Sequence, residues 1–138
     1  MTANTTPIFT ATPKIGLAAV SAANTASDGS GSLVDLFTAG ANGSRVERIR
    51  YTNAQASAAA SSAMVIRIFV DKTGSNPYLL VELALPAATR TLSAGGAYGI
   101  YTFTGGLFLP AGATLKVCQS VYAGVQDLMH YVAEGGDY

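Results

Sequence analysis

The chain has 138 residues, enough for one domain with a real core and too few for two comfortable ones. Hydrophobic residues make up 49% and charged residues only 12%, with a net charge of zero, which excludes the basic footprint of a nucleic-acid-binding protein and leaves a surface inclined to associate. The single cysteine, Cys118, excludes a disulfide within the chain and a cysteine metal site, and no apolar run reaches the roughly 18 residues of a membrane helix, so no membrane partner is expected.

Residues 1–13 are rich in Thr, Ala and Pro and read as an extended arm. Pro7 and Pro13 suit an edge or irregular path because they cannot donate to a ladder. The arm is expected to be held by a neighbouring chain, with a frayed end as the alternative. No basic stretch followed by an apolar one is present at the start, so no signal peptide is expected. Residues 14–138 are expected to form one domain.

Residues 14–20 suit a short strand, and residues 21–32 a polar loop with a turn at Asp28-Gly29. Residues 33–38 follow as a strand. Val34, Leu36 and Thr38 share its cleaner apolar face, so Asp35 is expected to face out. Asn42-Gly43 then gives a hairpin signal. Residues 44–52 form the next strand. Val46 and Ile49 are three apart and cannot both face the core of a regular strand, which predicts a bulge near Glu47 or Arg48.

Residues 53–62 read as a loop. Residues 63–72 are the clearest strand, with Met64, Ile66, Ile68 and Val70 on one face. Residues 78–85 alternate, with Leu79, Val81, Leu83 and Leu85 inward and Glu82 outward. Residues 98–104 form an aromatic-rich strand, broken by Gly105-Gly106 before a short strand at 107–109. Pro110 and Gly112 turn the chain into a strand over 114–121, with Leu115 and Val117 inward. Residues 128–134 form the last strand, and residues 135–138 read as a mobile tail. Eight or nine short strands with regular turn signals and no amphipathic helix predict an all-β fold. The expected form is an antiparallel two-sheet sandwich, jelly-roll-like, with an extended N-terminal arm.

Catalytic chemistry has little to draw on. His130 is the only histidine and falls in a predicted strand, where a core or inter-subunit role is expected. The carboxylates are scattered, and the Gly-rich segments join strands rather than opening helices, which removes the phosphate-loop reading. No catalytic residue, cofactor or metal is expected, and the protein is read as not an enzyme. Arg45, Arg48 and Arg50 cluster in one strand with Glu47 among them. They are either an interface of arginine forks or a solvated, partly neutralised face.

The blocks TANTTPIFTATP, FTAGANGSRVERIR and LPAGATLKV and the final GGDY resemble small proteins encoded among the virion genes of tailed bacteriophages, over the whole chain. Such proteins are similar to capsid decoration (cement) proteins. The resemblance implies a jelly-roll-like β-fold, a homotrimer, binding to the major capsid protein, and a place on the exterior of the virion head. Contacts to other chains are then expected at Thr5, Thr6, Pro7, Ile8 and Phe9 of the arm and at Asp137 and Tyr138 of the tail, beside Arg45, Arg48 and Arg50. The alternative is a carbohydrate-binding module or a fibre, tail or neck component of the virion.

Overall fold

The structure is a computed structural model that describes residues 10–55, 59–72, 74 and 76–138. The expected arm residues Thr5, Thr6, Pro7, Ile8 and Phe9 lie outside the described residues. Eight strands are present among the described residues: β1 (Thr12–Val20), β2 (Val34–Thr38), β3 (Ser44–Asn53), β4 (Met64–Asp71), β5 (Tyr78–Leu85), β6 (Tyr98–Leu109), β7 (Thr114–Gln119) and β8 (Met129–Asp137). A single turn of 3-10 helix, Val125–Asp127, precedes β8.

The strands form two antiparallel four-stranded sheets, ordered β1-β8-β3-β6 and β2-β7-β4-β5. Within each sheet two pairs follow one rule: β1 pairs with β8, β2 with β7, β3 with β6 and β4 with β5. The chain is thus one long double ribbon, closed at the β4–β5 turn and wrapped on itself. The wrapping brings β8 beside β3 and β7 beside β4. That is the jelly roll, and the all-β sandwich expected from the spacing is what forms. The core lies between the sheets and is built from Val46, Ile49, Ile66, Ile68, Leu115, Val117, Met129 and Tyr131, all essentially inaccessible.

Several local expectations hold. The register of β3 shifts between Val46 and Arg48, which leaves Glu47 as the bulged residue and lets both Val46 and Ile49 point inward. Asp35 faces out, and Leu115 and Val117 are buried. Cys118 is buried in β7.

Others are corrected. The Asn42-Gly43 turn closes on a Gly43 amide to Gly40 carbonyl bond of 3.1 Å, but β2 and β3 lie in different sheets, so it is a crossover and not a hairpin. Only Gly43 has positive φ there, at 88°, so a primed turn is not formed. A second bulge between Asp35 and Phe37 puts Leu36 and Phe37 both inside. Gly105 and Gly106 do not end a strand. Both take positive φ inside the continuous β6 and absorb the offset opposite the β3 bulge. Leu79 is exposed rather than inward, because β5 is an edge strand whose register with β4 shifts there. The strand β1 begins at Thr12, so Thr12 and Pro13 belong to the sheet and not to the arm. The final strand runs through Asp137, so residues 135–137 are paired on both sides, with β1 and with β3, instead of forming a mobile tail.

The two outer faces are treated differently. Residues 21–33 cross the outside of the β2-β7-β4-β5 sheet. Ala23 bridges Gln119 of β7, the Asn24 amide donates to the Gln119 carbonyl at 2.8 Å, and the Asn24 side chain holds the Ser30 and Ser32 carbonyls. Phe69 and Cys118 are buried although neither belongs to the main core cluster, and the Asn24 carbonyl of this loop lies 4.0 Å from the Cys118 sulfur. At one flank, Gly16 of β1 lies so close to β2 that a β-carbon would overlap the Leu36 carbonyl oxygen, and the sandwich is closed there.

Candidate functional site

The outer face of the β1-β8-β3-β6 sheet has no such cover among the described residues. Side chains alternate across a strand, so the register alone fixes which residues share this face. Three rows cross it. Ile15, Glu134, Arg48 and Thr102 form the first; Leu17, Val132, Arg50 and Ile100 the second; Ala19, His130, Thr52 and Tyr98 the third. The flanks are apolar and open to solvent: Ile15 is 62% exposed, Leu17 66%, Ile100 56% and Tyr98 75%. The exposed apolar residues form two strips, Ile15 and Leu17 on β1 and Tyr98 and Ile100 on β6, one on each side of the two middle strands.

Charge runs down the middle strands. Glu134 of β8 sits between two arginines of β3. Arg48 Nε donates to Glu134 Oε2, and Arg50 Nε lies 2.9 Å from Glu134 Oε1. All three side chains are partly exposed, so the network adds little to folding, about 0–1 kcal/mol per pair. Beyond the bulge, Arg45 turns to Glu47 at 2.6 Å and lays its guanidinium 5.5 Å from the centre of the Phe108 ring. Phe108 stacks in turn on Tyr138, with ring centres 6.4 Å apart and planes 8° from parallel. A shallow cleft between these groups is floored by Gly135 and Gly136 and walled by Arg45, Arg48 and Thr102. Thr10, the first described residue, stands at its rim.

Of the residues expected to make contacts, Arg48 and Arg50 therefore share one open face, and Arg45 and Tyr138 form a separate stack at its end. Asp137 is engaged within the chain. It accepts from Lys14 Nζ at 3.1 Å and from the Ser44 hydroxyl, and Lys14 also caps the Thr38 carbonyl at 2.6 Å. The Ser44 hydroxyl, helped by Lys14, holds the Asp137 carboxyl below its ordinary value. Tyr138 is pinned by its amide to the Gly43 carbonyl at 3.2 Å.

The apolar flanks and Glu134 were missed by sequence reasoning. A signal existed in KIGLAAV, which is apolar on both faces of the strand. A strand of that kind needs a cover on each side. His130 was expected in a core or between subunits. It is exposed on the outer face of β8 and outside the core, because Met129 and Tyr131 occupy the inward positions.

At the opposite face and at the loop end the polar groups are structural. Asp127 is fully buried and accepts from the Ser62 amide at 2.7 Å, the Ser62 hydroxyl at 3.1 Å and the Ala123 amide at 2.8 Å. Gln119 donates to the Val121 and Asp127 carbonyls at 2.9 and 2.8 Å and accepts from the Tyr131 hydroxyl at 3.2 Å. Burial pushes the Tyr131 phenol well up and, against the pull of Arg67, raises the Cys118 thiol. Among the described residues no three His, Cys, Asp or Glu side chains come together as a metal site. The arrangement on the open face offers contact chemistry: apolar area, arginine forks and stacked rings.

No protein-family model matches the chain, and no curated protein matches its sequence. Among solved structures, a chain of the T13 infectious bursal disease virus particle is similar at 14% identity and a TM-score of 0.35, over 92% of this chain and 32% of that one. A chain from the structure of the infectious bursal disease virus Gt strain is similar at 17% identity and a TM-score of 0.34, over 91% of this chain and 31% of that one. The protein thus spans about a third of the length of those chains. A likeness so slight has no bearing on function.

Proposed function

We propose that the protein is a non-enzymatic structural component of a virion, a decoration protein that binds the major capsid protein on the exterior of a tailed-phage head and stabilises it. One observation carries this reading: in an eight-stranded jelly roll, one sheet face has no cover among the described residues, and that face combines exposed Ile15, Leu17, Ile100 and Tyr98 with the Arg48–Glu134–Arg50 ridge. Such a face is poorly suited to water and well suited to an assembly. The sequence blocks that resemble virion proteins of tailed phages supply the kind of assembly. Jelly rolls serve many functions, so the fold alone would not.

In this reading the arm residues Thr5, Thr6, Pro7, Ile8 and Phe9 reach the capsid, and the Arg45–Phe108–Tyr138 stack beside Thr10 marks where the arm leaves the domain. Asp137 supports the contact from within by fixing Lys14 and Ser44. A trimer on the shell would multiply modest single contacts through avidity.

The test is copy number and position in purified virions, by quantitative mass spectrometry with cryo-electron microscopy of the head. Copies comparable to the major capsid protein, with density on the shell, are expected. A handful of copies at the tail or neck would overturn the decoration reading. A shorter test removes residues 1–9, which spares the strand that begins at Thr12. Capsid binding should weaken while the domain stays folded, and unchanged binding would remove the arm from the contact.

A further inference from the structure

A polar cleft stands where the loop over residues 21–33 meets the start of β5, and its volume is about 610 Å³. Ser27, Asp28, Ser30 and Asn76 give it a polar lining, and Tyr78 and Leu79 an apolar wall. Tyr78 is 69% exposed. The cleft shares no lining residue with the face assigned to the capsid.

The polar lining is fixed from beneath. The buried Asn24 side chain donates to the Ser30 and Ser32 carbonyls at 2.9 and 3.0 Å and accepts from the Ala26 amide at 3.0 Å, which pins both ends of the segment that carries Asp28. Gly29 has a φ of 87°, and a β-carbon there would stand 2.6 Å from the Pro77 carbonyl oxygen. Only glycine lets the loop come so close to the strand. The Ser30 amide and hydroxyl donate to Asp28 Oδ1 at 3.0 and 2.6 Å. These bonds hold the carboxyl below its ordinary value, so it is ionised at neutral pH. Both fall on Oδ1, which leaves Oδ2 to meet a ligand.

The lining selects the ligand class by elimination. Among the described residues no lysine or arginine lines the cleft, and ionised Asp28 repels phosphates and carboxylates. A calcium ion takes about six to eight oxygen ligands, commonly from several carboxylates, and Asp28 is the one carboxylate among the described lining residues. An organic cation would use Asp28 and Tyr78 and leave the serines and Asn76 idle. A wholly apolar ligand would cover four polar side chains without pairing them. What remains is a neutral molecule with a hydroxylated edge and an apolar face. A sugar ring has both: its adjacent hydroxyls donate to a carboxylate and accept from an amide, and its C–H face packs on an aromatic ring.

We propose that this cleft binds a neutral saccharide, with Asp28 Oδ2 and Asn76 meeting adjacent hydroxyls and Tyr78 covering one face of the ring. The cleft is open and its polar contacts are few, so a single ring should bind with a Kd on the order of 1 mM. The inference goes beyond the virion reading: it is measured on the isolated chain, and either can fail alone.

The test is a titration of the isotope-labelled full chain, followed by its amide resonances. The probes are the methyl glycosides of glucose, galactose, mannose and N-acetylglucosamine, with maltose, cellobiose and lactose, each to about 100 mM. Calcium chloride and tetramethylammonium chloride are run beside them. Saturating shifts centred on residues 27–30 and 76–79 are expected with at least one saccharide. Asp28→Asn keeps the Oδ1 acceptor for Ser30 but puts a donor in place of Oδ2, and should weaken binding at least about fivefold. Tyr78→Ala should weaken it about three- to tenfold. Both positions are exposed, and amide spectra close to wild type establish that the variants fold. Should either fold poorly, Asn76→Ala replaces it, with the same direction expected. No saturating shift with any of the saccharides refutes the proposal, as does a Tyr78→Ala variant that binds as the wild type does. Saturation by calcium or tetramethylammonium without a saccharide response makes the cleft a cation site, and the sugar assignment is then wrong.

Discussion

Asp127 offers the most direct test of how the loop end is held. Its carboxylate is fully buried and accepts three hydrogen bonds, from the Ser62 amide, the Ser62 hydroxyl and the Ala123 amide. It thereby ties the β3–β4 connection to the turn before β8. Asp127→Ala removes the acceptor and leaves two backbone amides without a partner in a part-buried site. Hydrogen bonds to a charged group contribute about 1.5–3 kcal/mol each, and an orphaned buried donor costs about 1–3 kcal/mol. These terms overlap, so the expected loss is about 3–5 kcal/mol, at the upper end for single substitutions. Against a total of about 5–15 kcal/mol that is a large share. In equilibrium urea unfolding, with a slope of about 1–3 kcal/mol per molar, the midpoint should fall by roughly 2 M at unchanged slope. Asp127→Asn keeps one acceptor oxygen but turns an amide donor toward one of the two N–H groups, so it should fall between. An Asp127→Ala variant within about 1 kcal/mol of wild type would show that these loops are held by packing alone, and the reasoning would fail.

Other outcomes follow from single positions. Gly16→Ala should cost at least about 2 kcal/mol in thermal or urea unfolding, because the new β-carbon meets the backbone carbonyl of Leu36, which cannot swing aside as a side chain would. The Cys118 thiol is buried and its pKa raised, so it should stay unreactive toward a thiol reagent at neutral pH in the native protein and react at once in denaturant. Asp137 is held below its ordinary value of 3.8, as is Asp28 by Ser30, so the native state prefers both ionised. The stability they contribute is complete above that value and is lost as pH falls through the lower native one. Unfolding midpoints should therefore drop between about pH 5 and pH 2, and Ser44→Ala should flatten the drop. Arg48→Glu should leave the fold intact, since its ion pair is exposed, and should weaken assembly; normal assembly would assign the ridge to solvation alone.

How much of this was written locally differs from element to element. The β3 bulge was legible because two apolar residues three apart cannot share a face without it, and Val46 and Ile49 are both fully buried. The sandwich was legible from alternation in β4 and β7. Strand partners were not, since pairing β1 with β8 joins residues more than a hundred positions apart, and nothing in either strand names the other. The Asn42-Gly43 turn shows the same limit. A turn motif fixes a reversal of the chain, while the sheet that the next strand joins depends on which edge is free. At the candidate site, the arginines were legible as a cluster, but their counter-charge Glu134 lies 86 residues from Arg48 and meets it only through the β3–β8 register. The closing Gly-Gly-Asp read as a tail because glycine is a poor strand former. Pairing on both sides overrides that preference, and the small residues let β1 and β3 approach.

The contrast between the two outer faces explains the charge ridge. Over the β2-β7-β4-β5 sheet, the Asn24 carbonyl lies against Arg67 and Cys118, and Phe69 and Cys118 are buried. The β1-β8-β3-β6 face has exposed isoleucine, leucine and tyrosine and no loop above it among the described residues. Left wholly apolar, it would associate without selection. Arg48, Glu134 and Arg50 interrupt it along the centre, where any partner must come to rest. A partner that supplies carboxylates can displace or share Glu134 and keep both arginines satisfied, whereas one that offers only apolar surface would bury the ridge unpaired. The cost of burying unpaired charge then acts as the filter, and the flanks provide the adhesion. On this view the ridge contributes little to folding because its role is to decide which surface is allowed to cover the sheet.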